Sequence, residues 1–181
     1  MNYKNKSWST FDISYMQTFD EQVPVYTPSV YREFRGEIFT TYHTKFHPVN
    51  KLLPNSVEIH NRFSKSYKGV LRGLHYDTKT WKLVQAVLGD IYLVVLDVRE
   101  ESNTYGKWES YIITEKSQQQ VLIPPGFANG HFALTDCMFH YTLFYEGSFV
   151  DESKQGVIKW NDPRFNMEWP SQTPILQRRD L

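Results

Sequence analysis

What constrains this chain most is its punctuation. Short runs rich in β-branched and aromatic residues follow one another at 37–42, 57–63, 82–88, 91–98, 106–114, 120–123, 127–134 and 138–145. Gly, Pro, Asn and Asp separate them, and helical periodicity is nearly absent. Strands this short bury an apolar face only by folding onto one another, which predicts an all-β barrel or sandwich of the jelly-roll kind. Gly89-Asp90 lies between two such runs and reads as a hairpin turn. Runs 127–134 and 138–145 read as a further antiparallel pair, and Pro124-Pro125-Gly126 as a firm turn. Pro163, Pro170 and Pro174 argue against a long helix in the tail. Residues 1–24 show no strong period and are expected to form an arm, with 25–181 as one domain.

Charge and cysteine content exclude several classes. Twenty basic and twenty acidic residues leave a formal net charge of zero. A general nucleic-acid binder or a membrane-surface protein needs a field of one sign, so neither partner is expected. Cys137 is the single cysteine, which rules out an internal disulfide and a cysteine-based zinc site. No apolar leader and no run of 18 apolar residues occurs, so a cytoplasmic protein is expected. The 12 Tyr, 12 Phe and 5 Trp suit a β-rich interior and surfaces that stack on sugars or bases.

Chemistry concentrates in 69–82, which holds Arg72, His75 and Lys82 around Gly73. In a regular strand, residues three apart point to opposite faces. Arg72 and His75 reach one pocket only if the strand bulges, and Gly73 supplies the place for it. His43, His47 and His60 read as surface residues, and the face shared by His60 and Arg62 as turned to solvent by default or else to a polar cavity. No His-x-His pair occurs among the six histidines, so no metal is expected. Gly-x-Ser-x-Gly, Gly-x-Gly-x-x-Gly and P-loop patterns are also absent. What remains is acid–base chemistry without a cofactor. His75, from a residue type with pKa ~6.5, is the candidate base, and Lys82 a charge stabiliser. Tyr141 alternates with apolar positions on the face of Phe139 and Leu143.

From Tyr31 onward the chain resembles the nucleotide-sugar 3,5-epimerases of the dTDP-4-dehydrorhamnose epimerase (RmlC-like cupin) family. The matching motifs are Phe34-Arg-Gly36, Val70-Leu-Arg-Gly-Leu-His75, Lys82-Leu-Val, Gly89-Asp-Ile-Tyr, Asp97-Val-Arg99, Tyr105-Gly106, Ile123-Pro-Pro-Gly-Phe-Ala128 and Trp160-Asn-Asp162. The resemblance implies a cupin jelly-roll homodimer that needs no cofactor and acts on a nucleotide-linked 4-keto sugar. It implies His75 as general base and Asp180 as the carboxylate paired with it. Tyr141 becomes the acid on the opposite face, and Lys82 the cation that stabilises the enolate. Arg35 and Arg72 fall at diphosphate-binding positions, and Tyr31 and Tyr145 at aromatic residues that sandwich the base.

Two departures from the family pattern stand out. Where Phe-Ala-His-Gly-Phe is usual, this chain has Phe127-Ala-Asn-Gly-His131. The histidine assisting at the keto oxygen becomes Asn129, and His131 is positioned to compensate. Thr40, His60 and Arg62 replace the glutamate, glutamine and asparagine at the thymine–deoxyribose end. The expectation is therefore an epimerase at C3 and/or C5 of a GDP-linked 4-keto-heptose, serving surface polysaccharide synthesis. The alternatives are a C3-only or C5-only epimerase, a dTDP-4-keto-hexose 3,5-epimerase, a sugar 3,4-ketoisomerase, and a catalytically silent nucleotide-sugar-binding jelly roll.

Overall fold

The computed structural model describes residues 13–181. The first half of the expected arm lies outside the described residues. The second half contributes β1 (Ile13–Thr18) and the start of β2 (Val23–Pro28), an antiparallel pair at one edge of a sheet. The strands β3 (Val30–Glu33) and β4 (Gly36–Phe39) form a separate hairpin, followed by a 3-10 turn at Pro48–Lys51. Then come β5 (Glu58–Ser66), β6 (Leu71–Tyr76), β7 (Trp81–Leu88), β8 (Asp90–Asp97), β9 (Trp108–Thr114), β10 (Gln120–Ile123), β11 (Phe127–Ala133), β12 (Cys137–Tyr145) and β13 (Gly156–Val157). They build a six-stranded sheet, β1-β2-β10-β7-β12-β5, facing a five-stranded one, β13-β6-β11-β8-β9. This is the all-β jelly-roll sandwich expected from the pattern of short strands.

The two expected hairpins are corrected. β7 and β8 lie in different sheets, and so do β11 and β12. Their tight connections carry the chain across the core instead of folding it back within a sheet. Alternation along a strand is the same in either case, so the sequence pattern does not separate them. The two corners pack against each other. Gly89 has φ +72, and a Cβ there would lie 2.3 Å from the Asp136 carbonyl oxygen.

Three apolar layers result. Val84, Ala86, Leu93, Val95, Val121, Ile123, Phe127 and Phe139 fill the space between the sheets. Outside the five-stranded sheet, Leu71, Leu74 and Phe132 pack under Phe165 and Trp169 of the tail. Outside the six-stranded sheet, Tyr26, Leu83 and Phe144 pack under Val49. His47 belongs to that last layer and is 2% exposed, not a surface residue. Its Nδ1 accepts from the Val49 amide and its Nε2 pairs with Gln120. Burial lowers its pKa despite the Gln120 bond.

The tail is irregular, as its prolines require, yet tightly fastened. Ile175 exchanges backbone hydrogen bonds with Gly69 and Leu71, and Ile158 does so with Leu74. These bonds run the C-terminus along β6, where Arg178–Asp180 makes one 3-10 turn. At the end of β8, Asp97 is fully buried and held by Arg99, Ser102 and Thr104, which outweigh burial and lower its pKa to about 2. The Asp97-Val-Arg99 motif thus shapes the following loop. Among the described residues no helix is long and apolar enough to cross a membrane.

Candidate active site

The site begins with a bulge. Asn129 of β11 pairs with His75, but His131, two residues on, pairs with Arg72, three residues back. One extra residue is therefore accommodated in β6, at Gly73 and Leu74. Gly73 has φ +112, and a Cβ on it would lie 2.6 Å from both the Asn129 carbonyl oxygen and the Gly130 Cα. Only glycine fits. The bulge turns Arg72 and His75 to the same side, and both line one cavity of about 430 Å³.

That cavity is the mouth between the sheets. From the five-stranded sheet it is lined by Arg72, His75, Asn129 and His131, and from the six-stranded sheet by Lys82, Tyr141, Arg62 and Ser64. The fastened tail brings Asp180 behind His75, where its side chain is fully buried and Oδ1 sits 2.8 Å from His75 Nε2. Burial alone would raise the pKa of Asp180. The hydrogen bond and charge of His75, with the Gly73 amide and Gln177, outweigh it and hold the carboxyl below its usual value. Asp180 is thus a buried, ionised carboxylate bonded to His75.

Lys82 is 8% exposed, and its Nζ donates to Asn129 Oδ1 at 3.0 Å and the His75 carbonyl at 3.4 Å. Desolvation lowers its pKa to about 8, against an opposing pull from Asp77. Because Asn129 spends its carbonyl oxygen on Lys82, its amide N–H group is left as a donor. Tyr141 lies inward with Phe139, their centroids 5.5 Å apart, and the Arg62 guanidinium stands 5.9 Å from the Tyr141 ring. Arg62 is exposed and also lines the cavity, so the polar face of β5 meets solvent and cavity together. Its apolar Phe63 points outward and is 63% exposed.

Several expected residues lie elsewhere. His60 and Tyr145 do not line the cavity but contact Phe149, which does, at 5.2 and 5.6 Å between ring centroids. Tyr31 and Arg35 sit on the β3–β4 hairpin, whose Arg32 and Glu37 share a shallow groove with Val87 and Lys116. Val87 is five residues from Lys82, about 16 Å along β7, so this hairpin stands away from the cavity. Ser64, Thr80, Phe149, Gln155, Gln177 and Arg179 line the cavity without having been picked out from sequence. The only sequence signal for the last two was their nearness to Asp180. Among the described residues no group of three or more His, Cys, Asp or Glu side chains could hold a metal ion.

A histidine held by a carboxylate, a phenol on the facing sheet and a buried cation suit proton abstraction next to a carbonyl. Residues 19–181 match the model of the dTDP-4-dehydrorhamnose 3,5-epimerase family. The chain belongs to that family. With it the chain belongs to the isomerases. The dTDP-4-dehydrorhamnose 3,5-epimerase of Shigella flexneri is 33% identical over 174 residues, covering 92% of this chain and 93% of the relative. The counterpart from Methanothermobacter thermautotrophicus is 31% identical over 88% of this chain and 85% of its own. Among solved structures, the dTDP-6-deoxy-D-glucose-3,5-epimerase of Legionella pneumophila, in complex with dTDP-4-keto-L-rhamnose, superposes with a TM-score of 0.83. Identity to it is 27%, over 93% of this chain and 90% of that one.

Proposed function

We propose that this family member epimerises a nucleotide-linked 4-keto sugar at C3, C5 or both, through an enolate and without a cofactor. The observation that carries the reading is the approach of His75 and Tyr141 to one cavity from opposite sheets, with Lys82 beside them. An ionised Asp180 accepts from His75 Nε2–H, leaving Nδ1 as the basic nitrogen. His75 removes the proton from a carbon beside the ketone, and the electron pair moves onto the C4 oxygen. Lys82 and the Asn129 amide stabilise the negative charge there. Tyr141 then delivers a proton to the same carbon from the other face, and solvent restores both groups. Arg72 serves the diphosphate.

The relatives favour a dTDP-linked 4-keto-6-deoxyhexose, reversing the order suggested by sequence alone. A GDP-linked 4-keto-heptose is the second reading. It is supported by His60 and Arg62 standing where thymine-reading groups are usual, with Arg62 on the cavity wall. Because Tyr31 and Arg35 stand away from the cavity, with Phe34 between them on the hairpin 95% exposed, we assign their roles to a homodimer. In it the hairpin of a second copy closes the nucleotide end.

Incubation of the protein with each 4-keto donor in D2O, followed by mass spectrometry and proton NMR, tests the reading. Deuterium at C3 and C5 with inverted couplings is the expected result. Exchange confined to one carbon makes it a single-site epimerase. No exchange with either donor overturns the enzyme in favour of a binding jelly roll.

A further inference from the structure

His131 is 4% exposed, and its Nε2 is buried without a hydrogen-bond partner among the described residues. Its ring stacks on Phe139, with centroids 4.3 Å apart and planes at 26°. A phenyl ring would make the same stack without burying an unmet nitrogen, and unmet buried polar atoms are rare enough to require a reason. His131 shares the inward face of Asn129, two residues or about 7 Å further along β11, and pairs in register with Arg72 of β6. Across the cavity, Ser64 of β5 pairs in register with Phe139, so its side chain also points inward. Its Oγ is likewise buried without a partner. Two orphaned polar atoms thus meet Phe139 from opposite sheets, and both residues line the cavity.

Burial and the nearby Arg72 charge push the His131 pKa down to about 3, outweighing the opposite pull of Asp180. At neutral pH the ring is uncharged, with one N–H and one lone pair. It suits hydrogen bonding to an alcohol, not proton transfer. Arg62, Lys65 and Arg179 line the cavity with Arg72 and supply the charge that a diphosphate needs.

We propose that His131 Nε2 and Ser64 Oγ form a hydroxyl-binding subsite in this cavity, gripping a sugar hydroxyl and setting sugar specificity. The proposal rests on the nucleotide-sugar reading and adds to it the groups that read the sugar. An alcohol placed there satisfies both orphaned atoms, and a sugar lacking it leaves them unmet, which is how a buried polar site discriminates.

Calorimetry with unreactive ligands separates this proposal from the assigned reaction. dTDP-glucose and GDP-mannose carry hydroxyls but no ketone, and dTDP and GDP lack the sugar. The wild type is expected to bind one sugar nucleotide more tightly than its bare nucleotide. His131→Phe is expected to weaken that sugar nucleotide at least tenfold while leaving the bare nucleotide within twofold. Ser64→Ala acts the same way but less strongly, and His131→Gln restores part of the loss. With a 4-keto donor that the wild type turns over, KM rises in His131→Phe more than kcat falls.

Equal weakening of sugar nucleotide and bare nucleotide would make His131 a packing residue and overturn the subsite. Unchanged binding of both in His131→Phe does the same, as does a wild type that binds sugar nucleotide no better than nucleotide. Should His131→Phe not fold, Ser64→Ala and His131→Gln decide alone. Loss of the proposed reaction with both 4-keto donors, alongside retained sugar discrimination, would sink the epimerase reading and leave the subsite standing.

Discussion

His75 Nε2 and Asp180 Oδ1 lie 2.8 Å apart although 105 residues separate them in the chain. The pair exists because Ile175 is bonded to Gly69 and Leu71, which delivers the C-terminal turn to the bulge in β6. Carboxylate and imidazole are interdependent. His75 lowers the pKa of Asp180, and in the proposed reaction the ionised Asp180 would hold the imidazole tautomer and favour the imidazolium formed on proton abstraction. His75→Asn is expected to abolish deuterium exchange into substrate while leaving nucleotide-sugar affinity within about threefold. Asp180→Asn should lower kcat by roughly 10²- to 10⁴-fold, since it leaves a base without its orienting charge. Exchange at the wild-type rate in His75→Asn rejects the base assignment.

Tyr141 gives a separate signature because it comes from the other sheet. Tyr141→Phe keeps the ring that packs on Phe139 and removes only the hydroxyl. Deuterium should still wash into substrate through His75, while inversion falls by at least a hundredfold. Measuring both in one NMR time course separates the roles. Loss of wash-in together with inversion would mean that the phenol shapes the site instead of donating the second proton.

Lys82 predicts a pH dependence. Its pKa is lowered to about 8 by burial, against the pull of Asp77. The cation that would stabilise an enolate is therefore present below that pH and lost as pH rises through it. The kcat profile should show a falling limb near pH 8. Lys82→Arg, charged throughout this range, should remove that limb even where its kcat is lower. Asp77→Asn should move the limb to lower pH by removing the nearby negative charge. A kcat flat from pH 7 to 10 in the wild type would exclude a rate-determining role for the Lys82 charge.

How much of this was legible in the chain differs from residue to residue. The bulge was readable because three-residue spacing between Arg72 and His75 is incompatible with a regular strand, and Gly73 stood between them. Inward placement of Tyr141 followed from alternation with Phe139 and Leu143. The crossings after β7 and β11 were not readable, since period-two alternation carries no information on which sheet a strand joins. His47 was misread because its partner Gln120 is 73 residues away. The polar face of β5 was readable only as far as two alternatives, solvent or a polar cavity. Arg62 is exposed yet lines the cavity with Ser64, and Phe63 between them is 63% exposed, so neither face of β5 follows burial alone. Asp180 depended wholly on the family resemblance, because a carboxylate next to a chain end has no local signal of burial.

Gly73 offers the test that connects fold to site. An alanine there would have to hold φ +112 and place its Cβ 2.6 Å from the Asn129 carbonyl oxygen and Gly130 Cα. Both obstacles are backbone, so neither yields by a side-chain rotation. A side chain forced into this conformation costs about 1–2 kcal/mol before any collision is counted. Gly73→Ala is therefore expected to lose more than about 2 kcal/mol of stability, a fall in Tm of roughly 5–10 °C for a domain of this size. β6 can relieve the collision only by moving away from β11, which separates His75 from Asn129 and from Lys82, bonded to that asparagine. Activity at a temperature where the variant remains folded should thus fall at least a hundredfold. Gly69→Ala serves as the control. It also has positive φ, +87, but its Cβ would meet only Ile175 Cδ1 at 3.8 Å. Its loss should be confined to the backbone term, with activity within a fewfold of wild type. Scanning calorimetry and kcat on the two variants measure the contrast, and equal losses in both would show that the bulge is not what holds the site together.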